Sequence, residues 1–229
     1  MSSEPHHHRD RYDVSGNSEV EYVDEDQLVL VNKLGVTRLD DLQLLEEECL
    51  ARAYESLLAE VRVDTPLTVA LILYVHERIF GTLFEWAGKW RTVNISKPGV
   101  TWPPPTFLSA NMERFEREVL RRLPASDLGD DVSFCEALAE IQGEFLVIHP
   151  FREGNARTIK LVTNLLAAQT NRPLLAYDQS ERGRDQYIFA AGQAFARNYA
   201  PLRDIIRRAL ETGRSGPVTG PSAADAFPR

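Results

Sequence analysis

Between residues 40 and 210 the apolar positions recur every three or four residues, the period of a helix that buries one face. Asp40-Asp41 precede a run over 42–61 with Leu44, Leu45, Leu50, Leu57 and Leu58 on its apolar side. Pro66 suits the first position of a second helix carrying Val69, Leu73, His76 and Phe80. A third helix is predicted over 106–123, stopped by Pro124. Asp131 or Ser133 can cap a fourth, whose core stripe is Phe134, Leu138, Ile141, Phe145 and Ile148. A fifth runs over 155–170 with Ile159, Val162, Leu165 and Leu166 buried, and Asn171 and Pro173 end it. Helices over 184–197 and 201–210 complete an all-α bundle.

One segment departs from this period. Residues 89–96 are rich in β-branched side chains in rough alternation, Lys97-Pro98-Gly99 makes a turn, and Val100-Thr101-Trp102 extends again before three prolines. The pattern predicts a single short β-hairpin with a free edge. An exposed edge invites pairing, so the hairpin is a candidate docking element, packing on the bundle through Trp90 and Trp102.

Composition narrows the class. The 229 residues suit one domain, read here as 21–212, between flexible tails at 1–20 and 213–229. His6-His7-His8 falls in the first tail, where it reads as incidental rather than a metal site. A hydrophobic share of 43% and a charged share of 26% are ordinary for a globular protein. A net charge of −8 argues against direct nucleic-acid binding. No apolar run approaches the ~20 residues of a membrane span, and no signal peptide opens the chain, so a cytoplasmic protein is expected. Cys49 and Cys135 read as small core residues in a reducing compartment.

The densest chemistry lies in His149-Pro150-Phe151-Arg152-Glu153-Gly154-Asn155-Ala156-Arg157-Thr158-Ile159-Lys160. Alone, each residue has a plain explanation: a histidine closing a helix, a Glu-Gly-Asn turn, two cations on a solvated face. Together they describe an anion site. Gly154-Asn155 before a helix leaves backbone N–H groups unpaired at the positive end of the helix dipole, and Gly154 can take the positive φ such a nest needs. Arg157 and Lys160 share a face, and cations at a helix N-terminus make sense where an anion binds. Glu153 offers a hard oxygen to Mg²⁺. His149 can take a proton near neutral pH.

These residues resemble the signature of the Fic family, commonly His-Pro-Phe-x-Asp/Glu-Gly-Asn-Gly-Arg-x-x-Arg. Ala156 stands at the second glycine and Lys160 at the second arginine. Phe84-x-Trp86-Ala87-Gly88-Lys89, the run Thr92-Val93-Asn94-Ile95-Ser96 and residues 187–201 extend the resemblance over about 40–210. It implies a Fic-type helical bundle whose hairpin is a flap beside the active-site loop, and transfer of AMP from ATP to a Ser, Thr or Tyr hydroxyl of a target protein. His149 would be the catalytic base and Glu153 the Mg²⁺ ligand. Gly154, Asn155, Ala156, Arg157, Lys160 and Tyr187 would bind nucleotide, the Asn155 side chain helping to cradle the α-phosphate. Thr92, Val93, Asn94, Ile95 and Ser96 would dock the target by strand addition. Many members carry a Ser/Thr-x-x-x-Glu-Gly/Asn inhibitory helix. Here the only Glu followed by Gly or Asn is Glu153, so the resemblance implies the toxin of a toxin–antitoxin pair, with a small separate antitoxin supplying that helix. Doc-like phosphotransfer is the alternative activity, and a nucleotide- or phosphopeptide-binding module the alternative class.

Overall fold

The computed structural model describes residues 22–23 and 28–216, so the expected N-terminal tail and residues 217–229 lie outside the described residues. Among the described residues there are seven α-helices: α1 (Leu39–Glu60), α2 (Val69–Phe80), α3 (Leu108–Glu118), α4 (Asp131–Ile148), α5 (Asn155–Gln169), α6 (Glu181–Gln193) and α7 (Ala200–Ser215). The hairpin comprises β1 (Ser96–Lys97) and β2 (Val100–Thr101). The fold is the all-α bundle with one small hairpin that the periodicity predicts. No described helix is long and apolar enough to cross a membrane.

Helix α4 is the axis of the bundle. It packs against α3, α5, α6 and α7, and α5 in turn packs against α1 and α2. Its predicted stripe, Phe134 through Ile148, is buried, as are Ile159, Val162, Leu165 and Leu166 of α5. Between these helices lies a closed polar cluster. The Gln142 amide donates to Thr163 Oγ1 (2.9 Å) and the Tyr177 hydroxyl (2.7 Å), while the Tyr187 hydroxyl donates to Gln142 Oε1 (2.8 Å). Each buried polar atom there has a partner, which keeps the α4–α5 register in place without the cost of an unmet donor.

Helix ends differ from the sequence expectation where a better cap lies nearby. Pro66 is outside α2, whose N-cap is Thr68: its hydroxyl accepts from Leu71 N–H at 3.1 Å, and the Glu116 carboxylate takes Val69 N–H at 2.8 Å. Helix α4 is capped by Asp130, which accepts from the N–H groups of Val132 and Ser133, because Asp131 is engaged by Arg172 and Arg214. The third helix is interrupted, with 3₁₀ turns on either side of α3. Helix α6 begins at Glu181, three residues ahead of expectation, with Ser180 as its cap. Helix α7 runs on to Ser215.

The buried face of α1 is also shifted. It consists of Leu42, Glu46, Cys49, Ala53 and Leu57, while Leu44 is 59% exposed. A charged residue at the centre of a buried stripe needs a partner, and Glu46 has one in α5.

The corrected start of α2 is testable. Thr68→Ala should cost about 1 kcal/mol, the worth of a lost N-cap, and Pro66→Ala less than about 0.5 kcal/mol, as for a plain surface change. Urea midpoints of the two variants check the order.

Candidate functional site

The site is the loop joining α4 to α5, and its shape follows from a few local constraints. Helix α4 ends where His149 takes left-handed backbone angles (φ 51°, ψ 61°), its N–H closing on Phe145 O at 2.9 Å. Pro150 disfavours the right-handed helical region for the residue before it, so the chain must turn here. Phe151 is fully buried and stacks on His76 of α2 at 3.7 Å and 12°. Asn155 grips the loop from the other end. Its Oδ1 accepts from Phe151 N–H and its Nδ2 donates to Phe151 O, both at 2.9 Å. Gly154, the N-cap of α5, has φ 76°, and a Cβ there would lie 2.2 Å from the Phe80 ring. Glycine is required by a neighbouring ring as well as by its backbone angle.

His76 locks the same loop. Its Nδ1 accepts from Gly88 N–H at 2.8 Å, so the proton is on Nε2, which donates to Glu153 O at 3.2 Å. Burial depresses its pKa to about 3, only partly countered by the bond to Glu153. It is a permanently neutral strut.

His149 sits at the loop's other end with its ring against Trp102, 4.3 Å between centroids. A carbonyl can only accept, so at 3.2 Å from Leu146 O the Nδ1 must carry the proton. The Nε2 is then the ring nitrogen that carries the lone pair. Burial, the largest cause, holds the pKa near 4, so the imidazole is neutral at physiological pH and can act as a base. Trp102 Nε1–H donates to the same Leu146 carbonyl at 3.0 Å.

The N-terminus of α5 has no side-chain cap, and the N–H groups of Asn155, Ala156 and Arg157 make no hydrogen bond outside the helix among the described residues. Two cations stand beside them, three residues apart on α5, and their side chains diverge. Arg157 turns toward α1 and α2: Nη1 meets Glu46 Oε2 at 2.8 Å, Nη2 lies 4.0 Å from Glu153 Oε1, and the guanidinium lies 4.7 Å from the Phe80 ring centroid. Lys160 turns toward the other flank, its ammonium 3.9 Å from the Tyr187 ring centroid and 4.6 Å from that of Tyr177. Burial lowers the Lys160 pKa to about 8.

Two expected nucleotide contacts are placed differently. The Asn155 carboxamide, 1% exposed, is engaged at both ends by Phe151, so this residue shapes the loop rather than offering its side chain to an anion. Tyr187 is buried with its hydroxyl on Gln142, and it reaches the site only as the ring beneath Lys160. Ala156 is half-buried against the core. Glu153 accepts from its neighbour's N–H, Gly154, at 3.1 Å.

In the hairpin, Pro98-Gly99 forms the turn with Gly99 at φ 81°, and the register pairs Ser96 with Thr101 and Lys97 with Val100. Of the five residues expected to dock a target, Ser96 is in the ladder and Ile95 adds one cross-hairpin bond, its carbonyl accepting from Trp102 N–H at 3.4 Å. Residues 91–95 alternate in burial instead: Val93 and Ile95 point inward and join Trp102 in a separate apolar cluster, while Thr92 and Asn94 face out. Period-two alternation came from one side of the segment packing on Trp102 in that separate cluster, not from long strand pairing.

Sequence patterns did not single out Glu46, Arg91 or Trp102 as site residues, and gave His76 only a core role. Each of the four has a partner at or beside the loop that is far away in the chain, and nothing in local spacing marks it.

Residues 66–167 match the Fic/DOC family model. The chain is 26% identical over 190 residues to the protein adenylyltransferase VbhT of Bartonella schoenbuchensis, covering 82% of this chain and 38% of that protein. It thus spans well under half the length of that relative. It is 25% identical over 182 residues to the "Probable protein adenylyltransferase y4lH" of Sinorhizobium fredii, covering 80% of this chain and 91% of the other. Among solved structures, the BepC effector of Bartonella tribocorum with bound AMPPNP superposes with a TM-score of 0.65 at 16% identity, covering 79% of this chain and 91% of that one, a likeness of fold.

The two buried histidines make stability acid-sensitive. Their folded pKa values, about 3 and about 4, lie below the unfolded value near 6.5. The unfolded state therefore binds protons first, and stability complete above pH 6.5 falls as pH drops toward 4. At pH 5 each histidine should cost about 2 kcal/mol. Urea unfolding at pH 7 and pH 5 measures this. An unchanged midpoint would contradict the burial of both rings in neutral form.

Proposed function

From a chain that carries a Fic/DOC family domain across residues 66–167, we propose a protein adenylyltransferase that moves AMP from ATP onto a Ser, Thr or Tyr hydroxyl of a target protein. The observation that carries this reading is the pairing of a neutral, oriented His149 with an uncapped helix N-terminus a few residues on. The names of the two relatives, and the AMPPNP bound to BepC, support ATP as the donor.

In this reading the His149 Nε2 takes the proton of the incoming hydroxyl, whose oxygen forms a bond to the α-phosphorus. The bond from that phosphorus to the bridging oxygen breaks, and pyrophosphate leaves with the electron pair. The N–H groups of Asn155, Ala156 and Arg157, at the positive end of α5, stabilise the charge that develops on the α-phosphate. Arg157 is held by Glu46 through Nη1, and its Nη2, at the edge of ion-pair range from Glu153, would turn to the leaving phosphates. Lys160 adds a point charge from the opposite flank, without the planar fork of an arginine. Glu153 is the carboxylate that fits Mg²⁺: this cation takes one or two carboxylates and completes its shell with phosphate and water, and the loop provides one. When bound there, Mg²⁺ would neutralise phosphate charge.

The target is proposed to dock along the outer side of residues 92–96, where Thr92 and Asn94 are exposed. Control is proposed to come from a small antitoxin whose helix brings a carboxylate to Lys160. Arg157 has Glu46 for a partner, whereas no carboxylate lies within ion-pair distance of Lys160 among the described residues.

Incubation with lysate and ATP labelled at either the α- or the γ-phosphate tests the reaction. Label from the α-position should appear on protein, and His149→Ala should reduce it by at least a hundredfold with ATP affinity changed less than about threefold, because the base acts only as the hydroxyl attacks. Transfer of γ-label would mean a phosphotransferase. Transfer of neither would mean a binding module.

A further inference from the structure

The buried Arg91 makes four hydrogen bonds to main-chain carbonyls, and they join three segments of the chain. Its Nε donates to His149 O at 2.9 Å and its backbone N–H to Pro150 O, also at 2.9 Å. Its Nη1 donates to Val93 O at 2.8 Å and its Nη2 to Pro103 O at 2.6 Å. The last two carbonyls lie on the two limbs of the hairpin, before β1 and after β2. Arg91 itself is 4% exposed. One guanidinium thus ties both limbs of the flap to the residue that carries the base.

The backbone of His149 explains why this tie matters. Left-handed angles are disfavoured for a residue with a Cβ, and Pro150 drives the preceding residue toward an extended conformation. Left to local preference, His149 would relax from φ 51° toward the extended region, and its imidazole would swing away from Trp102 and Leu146. The bonds from Arg91 hold the carbonyls of both His149 and Pro150 in the observed turn.

We infer that Arg91 is a positioning residue. It holds His149 in its left-handed turn and couples the seat of the imidazole to the position of the hairpin. A lysine could keep the charge but could not reach three carbonyls in one plane. The activity consequence rests on the adenylyltransferase reading; the structural consequence does not.

Arg91→Lys tests the inference by two independent readouts. In proton NMR, the His149 ring signals, assigned by their loss in His149→Ala, are shifted by the adjacent Trp102 ring. In Arg91→Lys they should move toward free-histidine positions while those of His76 stay in place. In the transfer assay kcat should fall at least tenfold, with KM for ATP within twofold. Unmoved His149 signals would overturn the inference whatever the activity does, and so would moved signals with an unchanged kcat. A wild-type protein with no transfer activity would sink the enzymatic reading and leave the NMR result standing. Should Arg91→Lys fail to fold, the wild-type Arg91 Nε–H decides: bonded to His149 O it should exchange slowly with solvent, and exchange as fast as a free guanidinium would overturn the inference.

Discussion

A helix that reaches a histidine followed by proline has to leave its axis, and the geometry of this site descends from how that departure is held. Pro150 removes the option of continuing α4, the left-handed turn at His149 reverses the chain, and Gly154 makes a second left-handed turn where α5 begins. Between the two, Phe151 is driven into the core against His76, and the loop has no freedom to place Glu153 or the α5 amides elsewhere. The backbone strain is local, on the order of 1–2 kcal/mol for a non-glycine residue. It is offset by burial of an aromatic ring, worth roughly 1.5–3 kcal/mol. The geometry of the loop is therefore set by the chain's own packing; in the proposed reaction that would suit donors that must be in place beforehand.

The electrostatics follow from the same packing. Two cations near a helix N-terminus oppose its dipole, and a loose pair would drift apart. Here each has its own restraint. Arg157 is fixed between the Glu46 carboxylate and the Phe80 face, and Lys160 lies over two tyrosine rings whose hydroxyl groups belong to the buried Gln142 cluster. A phosphate entering between them would meet positive charge already in position.

Much of this was legible in the sequence. The helix count, the hairpin and the motif loop follow from apolar period and turn chemistry, because α4 and α5 present their cores in regular stripes. What was not legible has one physical cause. Glu46, His76, Arg91 and Trp102 act through contacts with residues distant in the chain, and a polar side chain on a buried face looks like noise to a hydrophobic pattern. The buried stripe of α1 carries Glu46 and leaves Leu44 exposed, and Arg91 lies within the strand-like run 89–96 with nothing local to mark it. Asn155 and Tyr187 were expected at the ligand; they serve the loop and the helix interface instead, since buried amides and phenols find partners first in their own fold. A motif names which residues gather, and the packing decides which of them face outward.

The claim at the centre of this account is that the uncapped first turn of α5 receives the phosphates of a nucleotide. Backbone amide NMR measures it directly. Titration with Mg-ATP should shift the N–H signals of Asn155, Ala156 and Arg157 more than any others in α5, and adenosine, lacking phosphate, should leave them in place. Amides that do not respond to Mg-ATP, or that respond equally to adenosine, would contradict the account.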